Sequence, residues 1–251
     1  MIGAAPLALI GGFFVTALLY ASVGFGGGST YAALLALSGL DYRLLPLLAL
    51  ACNIVVVAGS TVRFARAGVT PWRGALLVTA LAAPAAFLGG LTPISQQSFM
   101  LLLGASLLLT GLAMLLPVSP GEAAQPTRLA RYMPLVAAPL GYLAGLVGIG
   151  GGIFLAPLLH LTRWRDARAI AATASLFILI NSAFGLAGQM LKHGPGLFGQ
   201  AIYGGLPLLL AVAVGGQIGS LLAVKFLPQR LICWLTAALV IWVGGRLLLG
   251  L

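Results

Sequence analysis

Two glycine runs carry the strongest chemical suggestion in this chain. Residues 23–28 read VGFGGG and residues 147–152 read VGIGGG, an offset of 124. A glycine-rich break leaves backbone N–H groups free and starts a new helix, and such helix N-termini favour anions. Gly26, Gly27 and Gly28, followed by Ser29, and Gly150, Gly151 and Gly152 are therefore candidate anion-binding positions. The competing reading is that the glycines merely allow close helix packing. An equivalent break in each half of the chain favours a binding site. A nucleotide site does not fit: Ser29 and Ile153 stand where a dinucleotide fingerprint has Gly or Ala. No strand precedes either run, and no Lys-Ser/Thr pair follows.

Uncharged polar residues inside apolar runs are the second set. Asn53 and Ser60 are seven apart and share a helix face; Ser175 and Ser182 repeat that spacing at an offset of 122. Thr173 and Asn181, eight apart, are nearly aligned with them. These faces can donate hydrogen bonds to an anion near the glycines. The alternative is helix–helix glue worth about 0.6 kcal/mol each, which suffices for a single Ser or Thr. An amide is harder to hide, so Asn53 and Asn181 read as ligands. Asp41, Glu122 and Asp166 all fall between the apolar runs. No span holds a carboxylate of the kind that proton pumps and many cation transporters use. His160 reads as an interfacial residue and His193 as a loop residue. Two histidines and two cysteines in apolar runs, Cys52 and Cys233, make no metal site. Ser29 has no histidine in its half of the chain to activate it as a nucleophile. The pattern argues against an enzyme and calls for no cofactor.

The elements that must position these residues follow from composition. Of 251 residues, 61% are hydrophobic and about 6% are charged. A soluble domain carries roughly 25% charged residues, so a water-facing surface cannot be built here. The net charge of +10 does not mark nucleic acid, because the basic residues punctuate apolar runs as membrane loops do. The first apolar run has no basic residues before it, so it reads as mature protein rather than as a signal peptide.

The apolar segments are 7–22, 29–38, 44–62, 72–91 and 98–116, then 132–147, 153–161, 167–191, 201–224 and 231–249. A polar, proline-bearing stretch, 117–131, separates the two sets as a linker. Each set runs as a short piece, a glycine break, a shorter piece and three full spans. Residues 23–37 and 147–161 agree at 9 of 15 positions, which implies an internal duplication. The domains are thus an N-terminal repeat, 1–116, the linker, and a C-terminal repeat, 132–251. The shorter pieces reach about 15 Å, half a bilayer. Each broken element is therefore either a re-entrant hairpin or a discontinuous spanning helix.

Loop charge discriminates the topologies. With three or five crossings per half, one side holds Arg63, Arg66, Arg73, Arg128, Arg131, Arg163, Arg165, Arg168, Lys225 and Arg230, and the other Arg43, Lys192 and Arg246, ten against three. With four crossings per half the split is seven against six. The positive-inside rule selects the inverted arrangement, with a cytoplasmic linker and both termini outside. The expected fold class is an all-α polytopic membrane protein of two inverted repeats, each a broken helix plus three transmembrane helices.

These residues resemble the TauE/SafE family, also called TSUP, of sulfite and organosulfonate transporters. The resemblance is carried by both glycine motifs, by IFLAPLL at 153–159, by the stretch 53–66 and by TASLFILINS at 173–182, and it extends over both halves. The family often has a proline shortly after the glycines; the second copy has Pro157, whereas the first has Ala33. The resemblance implies a multi-pass transporter of the inner cell membrane that moves small sulfur-containing anions, with export the expected direction. A passive anion channel and a non-transporting membrane assembly subunit are the alternatives. Expected partners are the anion and the lipid bilayer; association with further copies of the chain is left open.

Overall fold

The computed structural model describes residues 7–22, 24–115, 127–221 and 229–250. They are almost wholly helical, with no strand among them. Val23, most of the expected linker with Glu122, and Lys225 lie outside the described residues, as do the side chains of Arg128, Arg230 and Cys233.

The helices are α1 (Leu7–Ser22), α2 (Gly28–Leu37), α3 (Leu44–Arg66), α4 (Trp72–Leu91) and α5 (Gln96–Leu115), then α6 (Met133–Val147), α7 (Gly152–Leu161), α8 (Ala167–Leu221) and α9 (Gln229–Leu249). A 3-10 turn, Arg128–Tyr132, leads into α6. Runs of Leu, Ala and Val form helices here because hydrocarbon offers no partner for backbone N–H and C=O groups. Among the described residues α3, α4, α5, Leu129–Val147 and α8 are long and apolar enough to cross a membrane. Helices α2 and α7, ten residues each, reach about 15 Å.

Two boundaries differ from the sequence expectation. Helix α3 continues past residue 62 to Arg66, so Arg63 and Arg66 lie in its last turn instead of in a loop. The loop expected at 192–200 is absent: α8 spans 55 residues, interrupted at Gly194 (φ 78°, ψ 169°). A straight helix of that length would measure about 80 Å, far beyond a hydrocarbon core of about 30 Å. Gly194 therefore divides α8 into two limbs, 167–193 and 195–221. Proline is well tolerated at the first position of a helix, so Pro195 lets the second limb begin at once.

Helix α3 packs on α8, α4 on both α6 and α8, α1 on α8, and α5 on α9. Small residues set the closest contacts. Gly141 and Gly145 of α6 lie against the backbone of Ala82 and Ala86 in α4, and Gly215 and Gly219 of α8 against that of Phe14 and Leu18 in α1. A Cβ at any of these four would overlap a carbonyl oxygen or press against it. In lipid, helices associate through such close packing because apolar burial gives no net drive. The outer faces carry exposed leucines such as Leu77, Leu88, Leu109 and Leu112. The interior holds the polar residues: Asn53, Thr173, Ser175, Asn181 and Ser182 are all fully buried.

Candidate functional site

Both glycine runs break the backbone in the same way. Gly24 and Gly148 turn the chain out of the preceding helix with φ near +84°, at 83° and 85°. Gly27 (φ 78°) and Gly151 (φ 75°) are the N-caps of α2 and α7, and neither helix start has a side-chain cap. An uncapped helix start presents free N–H groups and roughly half a positive charge. The breaks differ at one point. Gly150 adopts φ 81°, which an L side chain tolerates poorly, whereas its counterpart Gly26 does not have positive φ.

The two breaks meet at one amide. Asn53, midway along α3, donates from Nδ2 to the Ile149 carbonyl at 3.2 Å. Its Oδ1 faces the first break, and a Cβ on Gly26 would lie 2.6 Å from it. A Cβ on Gly28 would overlap both Nδ2 and the Ile149 oxygen, and one on Gly150 would lie 2.6 Å from Nδ2 and 3.0 Å from Ser182 Oγ. A side chain at any of these three positions would press on the Asn53 amide, and at Gly28 on the Ile149 backbone as well. The reciprocal bond runs from α8, where Ser175 Oγ donates to the Gly24 carbonyl. Each break is thus held by a helix from the other half of the chain.

Ser29, Ser60 and Ser182 carry buried hydroxyls, and Asn181 a buried amide, with no hydrogen-bond partner among the described residues; Asn53 Oδ1 is also unpaired. Such groups are costly to leave unmade, about 1–3 kcal/mol each, and are usual where a ligand or water completes the set. Thr173 differs. Its hydroxyl is committed to the Ala169 carbonyl of its own helix at 2.8 Å, so it serves α8. A cavity of about 10 Å³ remains between the breaks, lined by Gly26, Gly27, Gly28, Ser29 and Asn53 together with Tyr20, Phe25, Ile149, Ile153 and Ile178. That is room for about one water. Ser60, Gly150, Gly151, Gly152, Thr173, Ser175, Asn181 and Ser182 do not line it; the second break contributes Ile149 and Ile153 instead.

Several neighbours were not singled out from the sequence. Ile178 would meet a Cβ at Gly26, Gly150 or Gly152, and Val57 one at Gly26. Both were within reach of a spacing argument: Val57 is four residues after Asn53, and Ile178 three after Ser175. Tyr20 shares a hydrogen bond with Thr30 at 3.1 Å beside the first break. Phe64 packs against Gly24. Arg63 folds its Nη2 back toward Gly59, where it is buried without a hydrogen-bond partner among the described residues.

Outside the spans, Asp41 pairs with Arg43 (Oδ2 to Nη2, 2.8 Å). Hydrogen bonding from Arg43 holds the Asp41 carboxyl below its ordinary value. Among the described residues no group of His, Cys, Asp and Glu is arranged to hold a metal ion.

Residues 8–247 match the family described as sulfite exporter TauE/SafE. A probable membrane transporter protein, y4hK, of Sinorhizobium fredii is 34% identical over 242 residues, 94% of this chain and 95% of that protein. A second probable membrane transporter protein, MJ0441 of Methanocaldococcus jannaschii, is 29% identical over 103 residues, 39% of this chain and 38% of its own length. No solved structure matches the chain significantly. The chain belongs to the sulfite exporter TauE/SafE family and is a multi-pass membrane transporter.

Proposed function

We propose that the protein exports small sulfur-containing anions, sulfite or short organosulfonates, by alternating access. The anion rests between the starts of α2 and α7, on backbone N–H groups of Gly26–Gly28 and Gly150–Gly152. Asn53, Ser29, Ser60, Ser182 and Asn181 supply side-chain donors, and Ser175 positions the first break. The observation that carries the reading is the Asn53 amide, buried and shared by both breaks, with Nδ2 on the Ile149 carbonyl and Oδ1 unpaired. Two uncapped helix starts together offer about one unit of positive charge, which suits a monovalent anion. No acidic residue lines the cavity between them.

A cavity of about 10 Å³ is too small for a sulfur oxyanion, so in this conformation the breaks are closed on each other. Loading requires the breaks to part, and Asn53 is then freed to turn its amide toward the anion. In this reading 1–116 and 132–251 are inverted repeats joined by a cytoplasmic linker, 117–131, with both termini outside. The ten-to-three split of basic residues between the two sides of the membrane, counted over loops and helix ends, supports the orientation. The reciprocal packing of α4 on α6 and of α1 on α8 supports the repeat. Loop arginines on the cytoplasmic face raise the local anion concentration, an effect that salt weakens.

The test is sulfite efflux from proteoliposomes containing this protein alone, with sulfate, taurine and chloride as comparisons. Saturable sulfite flux that is lost in Asn53→Ala supports the reading. Unitary currents in a planar bilayer would replace the carrier by a channel, and no flux from folded protein would leave an assembly subunit.

A further inference from the structure

A crevice of about 160 Å³ opens where the start of α3, the connection between α4 and α5, and the end of the first limb of α8 meet. It is distinct from the cavity between the breaks: the two have no lining residue in common, although α3 and α8 contribute to both. Its inner wall is apolar: Pro46, Ile94, Phe99 and Leu146. Its rim carries two cations, Arg43 and Lys192, with the His193 imidazole within electrostatic reach of both. Asp41 neutralises one charge, through its pair with Arg43. Lys192 gives one of its three donors to the Thr92 carbonyl at 3.3 Å and so has two to offer.

The floor carries a different signal. Gln189 is fully buried, and its Nε2 donates to the carbonyls of Gly145 (2.9 Å) and Leu146 (3.2 Å) at the end of α6. Its Oε1 has no donor among the described residues. The crevice therefore offers cations at its mouth and an apolar wall, and buried behind its base lies an acceptor with no donor among the described residues. Its volume is close to that of an engineered cavity of about 150 Å³ that takes up benzene, which is more than a bare sulfur or phosphorus oxyanion fills.

We propose that this crevice is a second binding site, for a short-chain organic anion bearing a hydroxyl or amine at its far end. The anionic head lies on Lys192 and Arg43 with a hydrogen bond from His193, the stem lies against Phe99 and Leu146, and the far donor is directed toward Gln189 Oε1. The crevice floor adjoins the second break, because Pro46 packs directly on Gly148. The site is thus placed as a vestibule to the path between the breaks. Only that vestibule role rests on the transport reading; the binding does not.

Titration calorimetry on the purified protein in detergent tests the site with 2-hydroxyethanesulfonate, ethanesulfonate and sulfite. Wild type is expected to bind 2-hydroxyethanesulfonate, and ethanesulfonate about tenfold more weakly, at a crevice site that persists in Asn53→Ala even where the site between the breaks is lost. Lys192→Gln is expected to weaken binding at least tenfold, and Ile94→Trp, which fills the crevice, to abolish it. Lys192 also holds the end of α4, so if Lys192→Gln does not fold, Ile94→Trp decides. Loss of binding in Asn53→Ala with retention in Ile94→Trp would overturn the proposal, since the ligand would then sit between the breaks. So would the absence of binding to wild type. Equal affinity for the two sulfonates would remove the role of Gln189. Binding without flux in proteoliposomes would sink the transport reading and leave the crevice standing; sulfite flux without crevice binding would do the reverse.

Discussion

Replacing Gly28 by alanine sets two effects against each other and lets the sign decide. Gly28 is the first residue of α2 and has ordinary negative-φ backbone, so alanine meets no conformational penalty there. Helix propensity alone favours alanine by up to about 1 kcal/mol. The added methyl, however, would overlap Asn53 Nδ2 and the Ile149 carbonyl, and the second of these is backbone that cannot swing away. Overpacking of this kind costs about 1–3 kcal/mol, and the Asn53–Ile149 bond lost with it about 1 kcal/mol more. The net expectation is a destabilisation of about 1–3 kcal/mol, a fall in melting temperature of about 2–4 °C for each kcal/mol. If turnover requires the breaks to close as they do here, the same penalty slows it about 5- to 150-fold. Thermal melting and sulfite efflux from proteoliposomes read the two quantities. Gly11→Ala is the control: it is also helical, but a Cβ there meets nothing within 4 Å, and both readouts should match wild type. A Gly28→Ala protein as stable and active as wild type would refute the claim that the two breaks close on the Asn53 amide.

Three other changes have defined outcomes. Asn53→Asp keeps the size of the side chain and places a carboxylate at the proposed anion site, so flux should fall by more than tenfold while the fold persists; wild-type flux would move the substrate elsewhere. Ser175→Ala leaves the buried Gly24 carbonyl without its donor and should destabilise by about 1–3 kcal/mol, measured by thermal melting. Asp41→Asn tests the loop pair. Its folded carboxyl is held below the ordinary value, so the pair's contribution is complete at neutral pH and fades as acid titrates the carboxyl through that lowered range. Because the pair is exposed to solvent, the variant should melt close to wild type at pH 7, and a large loss of stability would show that Asp41 has a further role.

The broken helices were legible because glycine at fixed spacing reports backbone geometry directly. The VGFGGG and VGIGGG runs place both N-caps, Gly27 and Gly151, where the structure has them. Asn53 was legible because an amide in an apolar run needs a reason. Thr173 misled, because a threonine can satisfy itself on its own helix and spacing cannot show which carbonyl it chooses. The Gly194 junction misled for a related reason. The residues Lys192, His193, Gly194, Pro195 and Gly196 look like a loop, yet a single residue with an unusual φ and ψ suffices to end one helix while Pro195 starts the next. The crevice beside Lys192 could not be read at all, since Pro46, Phe99 and Gln189 come together only through the packing of three separate helices.

The crosswise hold on the breaks also sets an order of assembly. Gly24 and the Ser175 that secures its carbonyl are separated by 151 residues. At about 5–20 residues per second, synthesis takes about 8–30 s to span that distance. Throughout that interval the first break is already made and its closing partner does not yet exist. The translating chain therefore carries an unfinished pocket in the membrane until α8 is inserted, and the proposed substrate site is among the last parts of the molecule to become native. A chain stopped after α5 keeps α2, with its uncapped start, but has nothing to seal it.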